Sequence, residues 1–122
     1  AALAALTGDQ GWVTDMTRTY DRRRQVVIAG LRQIEGLSCF DPGGAFYAFP
    51  NVRRWIGCTL PSGRRVDDVA TLVEHLLVDH HVATVPGAPF GAPEHLRLSF
   101  AIDIPELHKA LGRMAQALNA LR

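Results

Sequence analysis

The segment 95–100, HLRLSF, limits the fold more than any other because its residues alternate strictly in polarity. Leu96, Leu98 and Phe100 fall on one face of a strand, and the polar residues fall on the other. The residue at the centre of the polar face is Arg97, and the segment 85–91 just before it contains two prolines and two glycines. Arg97 is therefore either a solvated surface residue or a residue that points into a site and holds an anion.

Three longer segments have the apolar spacing of amphipathic helices, at residues 12–34, at residues 67–80 and from Asp103 onward. Asp67 is expected to cap the second helix, and Asp103 and Glu106 have the spacing of a capping box for the third. The predicted buried faces of the first two helices are Val13, Met16, Tyr20, Val27, Leu31 and Ile34, then Val69, Leu72, Val73, Leu76 and Leu77.

The remaining segments with regular patterns predict short strands. Segments 37–40 and 45–49 flank the turn residues DPGG and predict a hairpin, and segment 81–87 predicts a short strand that ends in a turn. Together with segment 95–100, the order is helix, two strands, helix, two strands, helix. This order predicts an α+β fold in which helices cover one side of a small, mostly antiparallel sheet.

Charge and cysteine content narrow the class of protein. The chain has 13 basic and 12 acidic residues, so it lacks the basic excess typical of proteins that bind nucleic acid or anionic membranes. It also lacks a segment long enough to span a membrane. Cys39 and Cys58 are not in a CxxC pair, and two free thiols in a reducing cytoplasm are favoured over a disulfide.

Catalytic and metal-binding patterns are weak. Glu74, His75, Asp79 and His80 are close in sequence, but a polar helix end with histidines near its negative dipole explains them better than a metal site. Ser99 has no evident His and Asp partners for a hydrolase triad. Arg97 is the candidate that remains, with an anion-binding role and a structural salt bridge both open.

Three motifs in this order, GGAFYAFPNV, VATVPGAPFG and HLRLSFA, resemble the C-terminal small domain of class I aminotransferases. These are pyridoxal-phosphate enzymes of fold type I, in the aspartate aminotransferase superfamily. The resemblance implies that residues 1–11 are the end of a large-domain helix and a linker. Residues 12–122 would then be the small domain, preceded by the long interdomain helix. Segment 53–65 matches no motif of the family.

The resemblance also implies roles for single residues. Arg97 matches the arginine that holds the α-carboxylate of the amino acid substrate, and Phe90 matches a position at the rim of the substrate cleft. Gly44, with Gly43 and Ala45, resembles the small residues that let this strand pass close to the active site, while a plain hairpin explains them equally well. No catalytic, cofactor-binding or metal-binding residue is expected within this chain.

The family carries its cofactor, pyridoxal 5′-phosphate, as a Schiff base on a lysine, mainly in the large domain. The single lysine of this chain, Lys109, does not match that position, so these residues alone are expected to be inactive. The resemblance implies a cytoplasmic, homodimeric transaminase that moves an amino group between an amino acid and a 2-oxo acid. The alternatives are the ligand-binding domain of an aminotransferase-like transcription regulator and a stand-alone carboxylate-binding module.

Overall fold

The computed structural model describes residues 1–122, and it contains four helices and three short strands. The helices are α1 (Ala2–Thr7), α2 (Gly11–Arg32), α3 (Val69–Val78) and α4 (Ile104–Asn119), and the strands are β1 (Tyr47–Ala48), β2 (Val85–Pro86) and β3 (Leu96–Ser99). Single 3-10 turns lie at Arg53–Trp55 and Ala88–Phe90. No helix combines the length and the apolar character needed to cross a membrane.

The sheet is antiparallel throughout, and β3 is its central strand. On one side Ala48 of β1 pairs with Leu98, and on the other side Pro86 of β2 pairs with Leu96. Leu96 of β3 and Phe100, which follows the end of β3, are buried in the core, as the alternating polarity of segment 95–100 predicts. The prediction of a small antiparallel sheet is confirmed.

The predicted hairpin between segments 37–40 and 45–49 is wrong. Only Ser38 pairs across, in a single antiparallel bridge to Asn51, and β1 takes its partner from β3 instead. The turn residues form a wide loop, and Asp41 within it makes an ion pair with Arg24 of α2 that holds the Arg24 pKa above its usual value. Phe40, at the start of this loop, is 87% exposed.

Helix α2 ends at Arg32, two residues before the predicted end, although Ile34 beyond it is still buried. Its C-terminal half packs against α4, and Val27 and Leu31 are fully buried there. Gly30 permits the close approach, because a Cβ at that position would lie 2.6 Å from the Cδ1 atom of Leu111. In the N-terminal half of the predicted apolar stripe, Tyr20 packs near Phe46 and Phe100, but Val13 and Met16 are exposed.

Helix α3 begins at Val69, and its cap is Asp68, not the predicted Asp67. The Asp68 carboxylate accepts hydrogen bonds from the Thr71 backbone N–H at 2.8 Å and from its hydroxyl at 2.9 Å. Leu77 was expected in the core but is 51% exposed, because the buried stripe follows Leu72 and Leu76 and leaves it at the edge.

Helix α4 begins as predicted. Asp103 accepts a 2.9 Å hydrogen bond from the Glu106 backbone N–H, and Pro105 occupies the first turn. The indole N–H of the buried Trp55 donates to the Leu118 carbonyl oxygen at 2.9 Å and ties the 3-10 turn to this helix. Cys39, which like Cys58 is a free thiol, has a pKa raised by burial.

The correction at the α3 cap leads to a stability prediction. We expect Asp68→Ala to lower the free energy of unfolding by about 1 kcal/mol, the usual cost of a lost N-cap. The matched control is Asp67→Ala, which removes only an exposed carboxylate 3.8 Å from Arg65 and should cost less than about 0.5 kcal/mol. Urea unfolding measures both, and equal losses would contradict the assignment of the cap.

The same cap predicts a dependence on pH. The hydrogen bonds from Thr71 hold the pKa of Asp68 below its usual value. A lowered folded-state pKa stabilises the protein above the unfolded pKa, about 4, and this contribution is lost as the pH falls through the folded pKa. The difference in stability between the wild type and Asp68→Ala should therefore shrink in acid.

The exposed apolar side chains near the N-terminus lead to a third prediction. Leu3 is 75% exposed, Leu6 81%, Trp12 57% and Met16 48%, and exposed apolar surface of this kind drives association. We expect isolated residues 1–122 to form dimers or larger species in light scattering. Leu6→Glu combined with Met16→Glu should shift them toward monomer, whereas Leu77→Glu on α3 should not. A sharp monomer peak at high concentration for the wild type would contradict this.

Candidate functional site

The candidate site lies on the face of the sheet opposite the core. Arg97 is at the centre of β3 and pairs with Val85 of β2 on one side. The β1–β3 register continues past β1 to a bridge between Asn51 and His95, which places Phe49 opposite Arg97. The central position holds the backbone of Arg97 between two strands, so its side chain starts from a fixed point.

Two aromatic rings hold the guanidinium of Arg97. Its Cζ atom lies 4.4 Å from the ring centroid of Tyr47 and 4.3 Å from that of Phe90. Both distances are within the range of a cation–π interaction, and a planar guanidinium stacks well on aromatic faces. The rings come from different parts of the chain, Tyr47 from β1 and Phe90 from the 3-10 turn after β2.

Arg97 has no carboxylate partner in the chain. The ion pairs of the structure use other basic residues, such as Arg53 with Glu94 and Arg54 with Glu35. The side chain is half-buried, so its charge is partly removed from water without compensation from a fixed anion. The two rings lie against the guanidinium, so its remaining N–H groups are the part left for a ligand, and their planar fork matches the two oxygens of a carboxylate.

The loop that carries Phe90 is fastened to β3. The Gly87 N–H donates to the His95 carbonyl oxygen at 2.7 Å, and the Ala92 and Phe90 N–H groups both donate to the Gly87 carbonyl. Gly87 is required sterically, because a Cβ there would lie 2.3 Å from the Ala92 oxygen and 2.5 Å from the His95 oxygen. The loop therefore has a shaped backbone, as its prolines and glycines predict.

A further aromatic pair, Phe49 and His95, lies next to Phe90. The rings of Phe49 and His95 are stacked, with centroids 5.3 Å apart and an interplanar angle of 13°. Phe49 also meets Phe90 edge to face, at 6.2 Å and 86°. Sequence reasoning missed Tyr47, Phe49 and His95. The two-residue period places His95 on the face of Arg97 and groups Tyr47 with Phe49, but only the β1–β3 pairing brings these two sets onto one face.

Gly44 lies outside the site formed around Arg97. With Gly43 and Ala45 it lines a cavity of about 660 Å³ between the wide loop and α2, which neither Arg97 nor Phe90 lines. A Cβ at Gly44 would meet nothing within 4 Å, so no close approach within this chain requires a glycine. Of the three predicted substrate-binding residues, the structure brings together Arg97 and Phe90 only.

The residues Glu74, His75, Asp79 and His80 at the end of α3 make contacts that belong to the helix end and its packing. The buried His75 bonds through Nδ1 to Asp79 Oδ2 at 2.6 Å, and His80 meets the His75 ring edge to face at 4.9 Å. Burial is the main cause that lowers the pKa of His80. Glu74 pairs instead with Arg64 at 2.7 Å, and the structure contains no group of three or more His, Cys, Asp or Glu side chains that could hold a metal ion.

Comparison with known proteins supports one family. The family model described as aminotransferase class I and II matches residues 1–114. An aspartate aminotransferase from Rhizobium meliloti is 41% identical over 99% of this chain and 30% of its own length. An aspartate aminotransferase from Geobacillus stearothermophilus is 38% identical over 98% of this chain and 29% of its own.

Solved structures agree with these sequence matches. The crystal structure of the aspartate aminotransferase from Rhizobium meliloti superposes with a TM-score of 0.93 at 40% identity, covering 99% of this chain and 30% of that one. The alanine aminotransferase from Pyrococcus furiosus gives 0.83 at 28% identity, covering 97% and 28%. The chain thus spans about 30% of the relatives it matches. The resemblance seen in its three motifs and the expected α+β fold are confirmed: the chain belongs to the aminotransferase class I and II family.

Proposed function

We propose that the whole protein is a pyridoxal-phosphate-dependent aminotransferase, and that Arg97 binds the α-carboxylate of its amino acid and 2-oxo acid substrates. The observation that carries this proposal is a half-buried arginine with no carboxylate partner, held between Tyr47 and Phe90 on the central strand. Membership of the family supports the reaction class, since class I and II aminotransferases are generally dependent on this cofactor.

The two rings and the strand give Arg97 what substrate binding requires. The strand fixes the start of the side chain, and the two rings limit the positions open to the guanidinium at its end. A carboxylate that approaches in this plane receives two parallel N–H···O bonds, which fix its orientation as well as its position. An orientation fixed in this way places the substrate's amino or oxo group consistently for reaction.

The cofactor does not fit the residues of this chain. Lys109, the single lysine, lies on the exposed surface of α4, where it is 61% exposed and paired with Glu106. A lysine that carries the cofactor must be enclosed with it and shielded from water, whereas the Lys109 side chain is exposed and paired with a carboxylate. We therefore assign the cofactor and its lysine to a part of the protein outside residues 1–122, and we expect these residues alone to be inactive.

The division of the chain follows the same proposal. We assign residues 1–11 to the end of a large-domain helix and its linker, and residues 12–122 to the small domain. Helix α1 has no buried residue, which supports its packing on another part of the protein. We further propose a cytoplasmic homodimer. A transcription regulator is not favoured, because the relatives described above are named as aminotransferases.

Steady-state kinetics on the full-length gene product test the role of Arg97. The named relatives make aspartate the first amino acid to assay, with a 2-oxo acid as acceptor. We expect Arg97→Ala to lower kcat/KM by about 100-fold, because a charge-assisted bidentate pair is lost. Arg97→Lys keeps the charge but not the planar fork and should retain about tenfold more activity than the alanine variant.

The matched control is Arg113→Ala, which removes an exposed arginine of α4 that forms no ion pair. It should leave kcat/KM within about twofold of the wild type. Wild-type activity in Arg97→Ala would contradict the role of Arg97 and leave the reaction class intact. A full-length wild-type protein that transfers no amino group from any amino acid tested would contradict the reaction class itself.

A further inference from the structure

We propose that His95 is a positioning residue for Arg97: its ring stacks on Phe49, which supports Phe90, which in turn holds the guanidinium. This inference rests on the proposed function and adds a residue to it. His95 is two residues before Arg97 on the same face, yet no direct contact between the two side chains is needed. The chain of aromatic contacts joins them instead.

Each contact in this series of rings has a defined geometry. The His95 and Phe49 rings are nearly parallel, at 13° and 5.3 Å, and Phe49 stands edge-on to Phe90 at 86° and 6.2 Å. Phe90 then lies 4.3 Å from the Arg97 Cζ atom. Offset stacks and edge-to-face pairs are the favoured arrangements of aromatic rings, so each ring limits the tilt of the next. A ring that cannot tilt keeps the plane of the guanidinium constant.

The backbone of His95 holds the same loop by a second route. Its carbonyl accepts the Gly87 N–H at 2.7 Å, and its own N–H donates to the Ala92 carbonyl at 3.0 Å. These two hydrogen bonds attach Gly87 and Ala92, which flank the turn that carries Phe90, to the backbone of His95. Alanine and phenylalanine at position 95 have the same backbone N–H and carbonyl groups, so these substitutions change the ring and leave the backbone attachment in place.

The ring acts through its shape. The Nδ1 atom of His95 is buried and has no hydrogen-bond partner in the chain, so it holds no other group in place and its burial carries a cost. The contact that the ring makes is the stack on Phe49. A phenylalanine has a flat ring without that cost and can make the same stack on Phe49. Substitution by phenylalanine therefore separates the stacking role of the ring from any role of its nitrogens.

Kinetics on the full-length gene product test the inference. We expect His95→Ala to raise the KM for the amino acid about three- to tenfold, the effect of one lost aromatic pair on affinity, with kcat changed less than about twofold. His95→Phe should restore KM to within about twofold of the wild type. A core variant away from the site, Leu72→Val on α3, should lower the melting temperature without changing KM.

A double variant decides whether His95 acts through Arg97. In the Arg97→Ala background, His95→Ala should have no further effect on KM, since the group it positions is gone. An unchanged KM in His95→Ala alone, an additive effect in the double variant, or loss of activity in His95→Phe would each overturn the inference. If Arg97→Ala alone leaves kcat/KM at the wild-type value, the proposed role of Arg97 fails first, and the two failures are thereby distinguished.

Discussion

The contact of the Arg97 guanidinium with the rings of Tyr47 and Phe90 is the interaction around which this part of the molecule is arranged. It requires three separate segments to meet on one face of the sheet. Strand β3 supplies the arginine, β1 supplies Tyr47, and the turn after β2 supplies Phe90. That turn reaches β3 only because Gly87 lets its backbone come close to the His95 carbonyl. The small sheet therefore serves less as a core than as a frame that brings these side chains together.

The rest of the fold keeps that frame in place. Leu96 and Phe100 bury one side of β3 in the core. Helices α2 and α4 pack against each other and contribute to the same core. Gly30 lies at the contact of these helices, where a Cβ would require the Leu111 side chain to shift. In the N-terminal half of α2, Tyr20 still packs near Phe46 and Phe100, whereas Trp12 and Met16 are exposed. This division within one helix agrees with a segment that spans about 30% of the relatives it matches.

Local patterns in the sequence predicted those features that depend on near neighbours. The alternation of HLRLSF gives the face of Arg97, and the spacing of Asp103 and Glu106 gives the start of α4. The hairpin failed because β1 pairs with β3, about fifty residues further along, and turn residues carry no information on a partner so distant. The cap of α3 was misplaced by one residue because Asp67 and Asp68 have the same chemistry. Tyr47 and His95 were missed because their contacts depend on the same long-range pairing, and the roles of Phe90 and Gly44 toward substrate stay predictions.

The most direct test of the account is a crystal structure of the full-length protein with an amino acid substrate bound. The account predicts both carboxylate oxygens within about 3 Å of the Arg97 guanidinium nitrogens. It also predicts that the Tyr47 and Phe90 rings stay against the guanidinium, at the separations of 4.4 and 4.3 Å seen here. A substrate carboxylate bound by other residues, or an Arg97 side chain paired with a carboxylate of the protein itself, would contradict it.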